Sequence, residues 1–307
     1  MSRVRLASAL AALLISSPLI AQSDATPPEE ESIIVEGQRT SVHRLVSDTI
    51  NDAGVEALAR FEDRICPGIV GLNGAQAVKL ADMIRANIAA LGGKVADPGC
   101  TANATVILVD EPVEFVKKFA KTEPGFFTMN PREFELFTAR PRAVASWHVT
   151  ETRARDGQEL DGAKQLSDRN KKIANTQAAT GVSINATVVR NSAATRLYTN
   201  TREDMAFGFA VIDKQKLPGK TLRQLADLAT LHLLLDVRQD AGASNRGSIL
   251  SLFEDRPQGV SAPAEMTQFD RAMVQGLYAP SENNRTAAQQ FTQIATAIRR
   301  SAETSKQ

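Results

Sequence analysis

The apolar positions of the chain fall into helical and strand periods. Between Asn73 and Gly92-Gly93, residues Ala77, Leu80, Ala81, Ile84, Ile88 and Leu91 recur at i, i+3, i+4 and i+7 spacing, with Lys79, Asp82, Arg85 and Asn87 on the other side. This predicts an amphipathic helix over 74–91, opened by Asn73 as N-cap and closed by the glycine pair. Its stripe reads as core. A second helix is predicted over 222–236, where Leu222, Leu225, Ala226, Leu228, Ala229, Leu231, Leu233, Leu234 and Leu235 leave almost no polar face. A helix apolar all round is a buried helix. Thr221 and Gln224 open it with a capping box, and Pro218-Gly219 supplies the turn before it. With about four turns it is too short to cross a bilayer, which takes roughly 20 apolar residues.

Strand-length apolar runs lie at 104–109, 143–149 and 206–212, with further candidates at 183–190 and 195–199. In the run 143–149, alternation puts Val144, Ser146 and His148 on one face and Ala145, Trp147 and Val149 on the other. A short helix over 111–121 carries Val113, Phe115, Val116 and Phe119. The aromatic stretches 126–129 and 134–137 form either a second core layer or the wall of a groove. Residues 151–179 are polar and charged, an exposed hairpin tip or loop. Residues 281–307 hold a terminal helix docked through Phe291, Ile294 and Ile298, then a frayed end. The fold class expected is α+β, a mixed sheet packed with helices behind a disordered N-terminal segment. The expected divisions are 1–21, 22–54, a single domain over 55–280, and 281–307.

The first of these divisions reads as a secretory signal: Arg3 and Arg5, an apolar run over 6–15, and a cleavage region ending near Ala21. The alternative is a permanent N-terminal anchor, which the short apolar run disfavours. The net charge is +1, falling to −1 when Arg3 and Arg5 leave with the signal. Near-neutral, mixed charge gives no electrostatic case for nucleic acid. No other apolar run is long enough for a membrane span. Cys66 and Cys100 are the two cysteines of a chain read as exported, so they predict one disulfide, pinning helix 74–91 against the strand 104–109. The expected location is periplasmic or secreted.

Residues 22–54 have linker composition, with Pro27-Pro28 and Glu29-Glu30-Glu31 ahead of a short β-prone run. Within it, Ser32-Ile33-Ile34-Val35-Glu36-Gly37-Gln38-Arg39 is similar to the TonB box of TonB-dependent outer-membrane receptors. The resemblance implies docking of an envelope partner by strand addition through Ile33, Ile34, Val35 and Gly37. Glu36 stands where that peptide has Thr, and the chain is too short for the receptor barrel. A plain tether is the other reading. His43 follows in a polar stretch and is expected to be solvated.

The stretch 204–278 resembles the catalytic half of metzincin-type zinc proteases. Strand 206–212 leads into the buried helix, then come Ser248 to Phe253 and a segment with Met266, Asp270, Leu277 and Tyr278. The resemblance covers about a quarter of the chain and implies a zincin-like fold. Its most specific element, two histidines four apart on one helical face, is missing. The histidines are His43, His148 and His232, and no two are four apart. The implied zinc site therefore has no ligand pair, and no cofactor is expected.

Three polar residues of the buried helix remain as weak catalytic candidates. His232 and Asp236 are spaced i, i+4, which suits either the base half of a relay or a hydrogen-bonded core histidine beside a helix-end acid. Asp227 is a carboxylate on a buried helix, and Arg223 one turn earlier is its nearest partner. There is no Ser elbow, P-loop, dinucleotide or calcium-loop motif. The sequence thus favours a non-catalytic binding or assembly protein. The alternative is a hydrolase with an atypical site near Asp227, His232 and Asp236.

Overall fold

The computed structural model describes residues 41–51, 56–154, 156–158, 201–280 and 286–304. Among them is one four-stranded mixed sheet, β1 (Pro67–Val70), β2 (Ala104–Val109), β3 (Val144–Ala154) and β4 (Thr201–Asp213), in the order β1-β2-β4-β3. The first three strands in that order are parallel, and β3 runs antiparallel to β4. The longer helices are α1 (Gly74–Ala90), α2 (Pro112–Thr122), α3 (Pro131–Phe137), α4 (Leu222–Leu234), α5 (Gln268–Tyr278) and α6 (Ala287–Thr304). The class is α+β. The strands expected at 183–190 and 195–199, the signal and the peptide 32–39 lie outside the described residues. No helix among the described residues is long and apolar enough to cross a membrane.

Alternation along β3 divides the sheet into two faces as its sequence predicts. Ala145 and Trp147 are buried on one face with Ile107, Phe209 and Val211, under α2 and α3. There Trp147 stacks between Phe127 and Phe209, each ring centre 4.8 Å away, and its indole N–H donates to the Phe126 carbonyl at 2.9 Å. The aromatic stretches are therefore a second core layer, with pairs each contributing about 0.5–1.5 kcal/mol beyond area burial. Ser146 and His148 point to the other face, where α1, α4, α5 and α6 build the larger core.

At the centre of that larger core is α4, buried from Gln224 to Leu234. Its capping box is closed in both directions: Thr221 Oγ1 accepts from the Gln224 N–H at 3.1 Å, and Gln224 Oε1 accepts from the Thr221 N–H at 3.0 Å. The Gln224 amide also donates to the Pro263 carbonyl at 2.8 Å, so the box ties α4 to the loop ahead of α5. Further on, α5 meets α6 at Gly276. A Cβ there would lie 2.7 Å from the Ile294 Cα, so the small residue sets how closely the two helices approach.

Two expectations change. Cys66 and Cys100 do form a disulfide, with Cα atoms 6.0 Å apart. Cys66 however precedes β1, a strand too short to show a period, so the bridge ties the entries of the adjacent strands β1 and β2. Asn103 seconds it: its side chain accepts from the Cys66 N–H at 2.7 Å. The linker composition also ends earlier than residue 54. Residues 41–47 are helical, Val46 and Ile50 are buried, and His43 is half-buried. Ile50 bridges to Val237, and the Asn51 N–H donates to the Asp236 carbonyl at 2.8 Å. Local composition misjudged this segment because its apolar partners lie far along the chain.

Candidate functional site

Asp227 is fully buried, and its carboxylate is filled by donors from three places. Asn87 Nδ2 of α1 donates to Oδ1 at 2.8 Å. Arg223 Nε donates to Oδ2 at 3.1 Å, and the Met266 N–H donates to the same oxygen at 2.6 Å. The Asn87 amide also reaches Thr230 Oγ1 at 3.1 Å. Arg223 is the partner the helical spacing predicts, whereas Asn87 and Met266 leave no local sequence signal. A carboxylate held by three donors at the junction of α1, α4 and the loop before α5 is a clamp.

His232 and Asp236 do not pair with each other among the described residues. The helix stops at Leu234 and Leu235 is extended, with φ −126° and ψ 142°, so Asp236 leaves the helical register that the i, i+4 spacing requires. His232 Nδ1 instead meets the Ser146 hydroxyl of β3 at 2.8 Å. Burial, helped by His148, lowers the His232 pKa to about 3, so the ring is neutral near pH 7. The Asp236 carboxylate accepts from Asn51 Nδ2 at 3.3 Å, and burial raises its pKa against the attraction of His148. The His148 Nε2–H donates to the Leu233 carbonyl at 2.9 Å, while its buried Nδ1 has no hydrogen-bond partner among the described residues. Gly208 makes room for this ring: a Cβ there would lie 3.2 Å from His148 Cδ2.

The segment after α4 is fastened by the residues that carried the family resemblance. Asp270 is fully buried and accepts from the Ser248 hydroxyl through a short bond, from the Ile249 N–H at 3.0 Å and from the Thr267 N–H at 2.9 Å. Burial raises its pKa against these donors. The Tyr278 hydroxyl donates to the Leu234 carbonyl at 3.3 Å and accepts from the Phe61 N–H at 3.2 Å. Burial raises the pKa of this phenol.

A cleft of about 640 Å³ opens beside the end of α4, between the start of α2, the turn before β3 and residues 237–254. His232 lines it, and so do Arg142, Val113, Val237 and Leu250. Ser146 and Asp227 do not line it. With Nδ1 engaged by Ser146, Nε2 is the His232 nitrogen left for the cleft. Sequence reasoning passed over Arg142 and Ser146, because neither sits in a motif.

Zinc, which the family resemblance implies, does not fit this arrangement. A zinc site needs three or four nitrogen, sulfur or carboxylate ligands converging on one point. Among the described residues no three His, Cys, Asp or Glu side chains converge so. Asp227 and Thr230 of the helix face other protein groups at hydrogen-bonding distance, and His232 does so through Nδ1. Comparison with family models, curated proteins and solved structures finds no match to the chain.

Proposed function

We propose that the chain is an exported cell-envelope protein that acts by binding or assembly, built on a zincin-like domain without catalytic function. One observation carries the non-catalytic reading: the acid on the central helix, Asp227, is saturated by Asn87, Arg223 and Met266 and does not line the cleft. Supporting the zincin-like part is the order of elements along the chain: strand β4, then the buried helix α4, then the Ser248 turn locked to Asp270. Export rests on residues 1–21. Docking to an envelope partner rests on Ile33, Ile34, Val35 and Gly37, tested by a pulldown from envelope extracts with and without residues 32–39. Equal recovery of the same partners from both forms removes the docking idea.

The rival reading is a hydrolase with an atypical site near Asp227, His232 and Asp236. What favours it is the Ser146–His232 bond, which resembles half of a nucleophile–base relay. Against it, the serine does not line the cleft and no acid pairs with His232 among the described residues. Labelling with a serine-directed fluorophosphonate separates the two. Modification of Ser146 that disappears in Ser146→Ala supports the hydrolase, and no labelling supports binding.

A further inference from the structure

The cleft holds a half-buried cationic group with no carboxylate partner among the described residues. Arg142 is half-buried in the turn before β3, its guanidinium carbon 5.1 Å from the centre of the Phe137 ring. Its Nε is shut from solvent with no hydrogen-bond partner, and no carboxylate pairs with it among the described residues. Burial lowers its pKa. Other charged groups of the cleft are differently placed. Lys117 binds Glu114 at 2.8 Å, Arg238 stands 3.8 Å from Asp240, Lys216 is exposed, and Asp110 binds Lys214 at 3.3 Å. Asp110, Glu111, Glu114 and Glu254 are exposed at the rim, where water screens them.

A charge half withdrawn from water and left unpaired is costly, and an anion that reaches it relieves that cost. Deeper in the cleft the surroundings are apolar: Val113, Val237 and Leu250 are buried there. His232 is nine-tenths buried at the same cleft. When its Nδ1 accepts from Ser146, the proton of the neutral ring sits on Nε2 and is available as a donor to the cleft. The volume lies within the range of small-molecule sites, roughly 300–1,000 Å³.

We propose that this cleft binds a small organic carboxylate with an apolar body, its headgroup on Arg142 and its body against Val113, Val237 and Leu250. The proposal deepens the binding reading and rests on it. Such a ligand matches both halves of the site: one unpartnered guanidinium, and apolar walls behind it.

The test is calorimetric titration of the full chain, less its signal, with octanoate below its micelle concentration. Titrations with n-octanol and octyltrimethylammonium run beside it. Octanoate is expected to bind one to one, the alcohol and the cation at least about tenfold more weakly, the loss of one charge-assisted contact. Arg142→Gln is expected to weaken octanoate by the same factor, Arg142→Lys to restore part of it, and Arg140→Gln, outside the cleft, to change nothing. Unchanged melting temperatures establish that the variants are folded. Absence of octanoate binding, equal binding of octanol, or full affinity in Arg142→Gln each overturns the site. These outcomes leave the non-catalytic reading standing, since that reading is tested separately by fluorophosphonate labelling and metal content.

Discussion

The Asp227 carboxylate accepts the backbone N–H of Met266, 39 positions further along the chain, at 2.6 Å. With Asn87 and Arg223 on the same group, it fixes the loop before α5 and the helix α1 to α4. Replacing Asp227 with Ala would strand the Asn87 amide and the Met266 N–H in a buried place. The expected loss is about 3–5 kcal/mol, the scale for breaking a buried charged network. Asp227→Asn, which keeps one acceptor but turns an NH₂ toward a donor, is expected to lose about 1–3 kcal/mol. Urea unfolding measures both. An Asp227→Ala protein as stable as the parent would remove the clamp.

Acid sensitivity follows from the two inward histidines. The folded-state pKa of His232 is lowered to about 3 from 6.5. Only the unfolded chain takes that proton between these values, so the stability it supports is present above 6.5 and lost as pH falls toward 3. His148 is shifted the same way by burial. Asp236 and Asp270 are raised by burial and act with the opposite sign, favouring the fold as pH falls through their raised values. Between pH 6.5 and about 3 the His232 contribution falls with falling pH by at most about 1.4 kcal/mol per pH unit. His232→Gln should flatten that slope, whatever it does to the absolute stability, when unfolding is followed at several pH values.

Gly276 of α5 faces the Ile294 backbone of α6. Alanine is the better helix former by about 1 kcal/mol. Its methyl, however, would press on the Ile294 backbone at 2.7 Å, and forcing packed elements apart costs about 1–3 kcal/mol. Gly276→Ala is therefore expected to lower the melting temperature. A rise would show that α6 shifts freely on α5.

The disulfide closes a separation of 34 positions. In the chain-entropy account such a loop contributes about 3–4 kcal/mol. The double variant Cys66→Ala, Cys100→Ala is expected to lose that much in denaturant unfolding. Reduction of the parent by dithiothreitol should lower its midpoint comparably, and an unchanged midpoint in both would set this expectation aside.

What the sequence discloses here follows the reach of its signals. Helices α1 and α4 are legible because the apolar spacing and the caps at Asn73 and Thr221 are local. The two-faced β3 is legible because alternation places Trp147 opposite His148. Strand β1 is not, since four residues beginning Pro67-Gly68 show no period and form a strand only by pairing with β2. Arg223 can be assigned to Asp227 by helical geometry, but Asn87, 140 positions away, cannot. The i, i+4 pairing of His232 with Asp236 fails because the helix ends between them. Arg142 is invisible to pattern because its distinguishing property is a missing neighbour, which only the packed chain reveals.

The most direct test of the proposal that the central helix serves no metal chemistry is the zinc content of the chain purified without chelators, measured by inductively coupled plasma mass spectrometry beside His232→Ala. A helix whose polar groups hold other parts of the protein predicts zinc well below one ion per chain in both proteins. One zinc per chain in the parent, lost in His232→Ala, would contradict it.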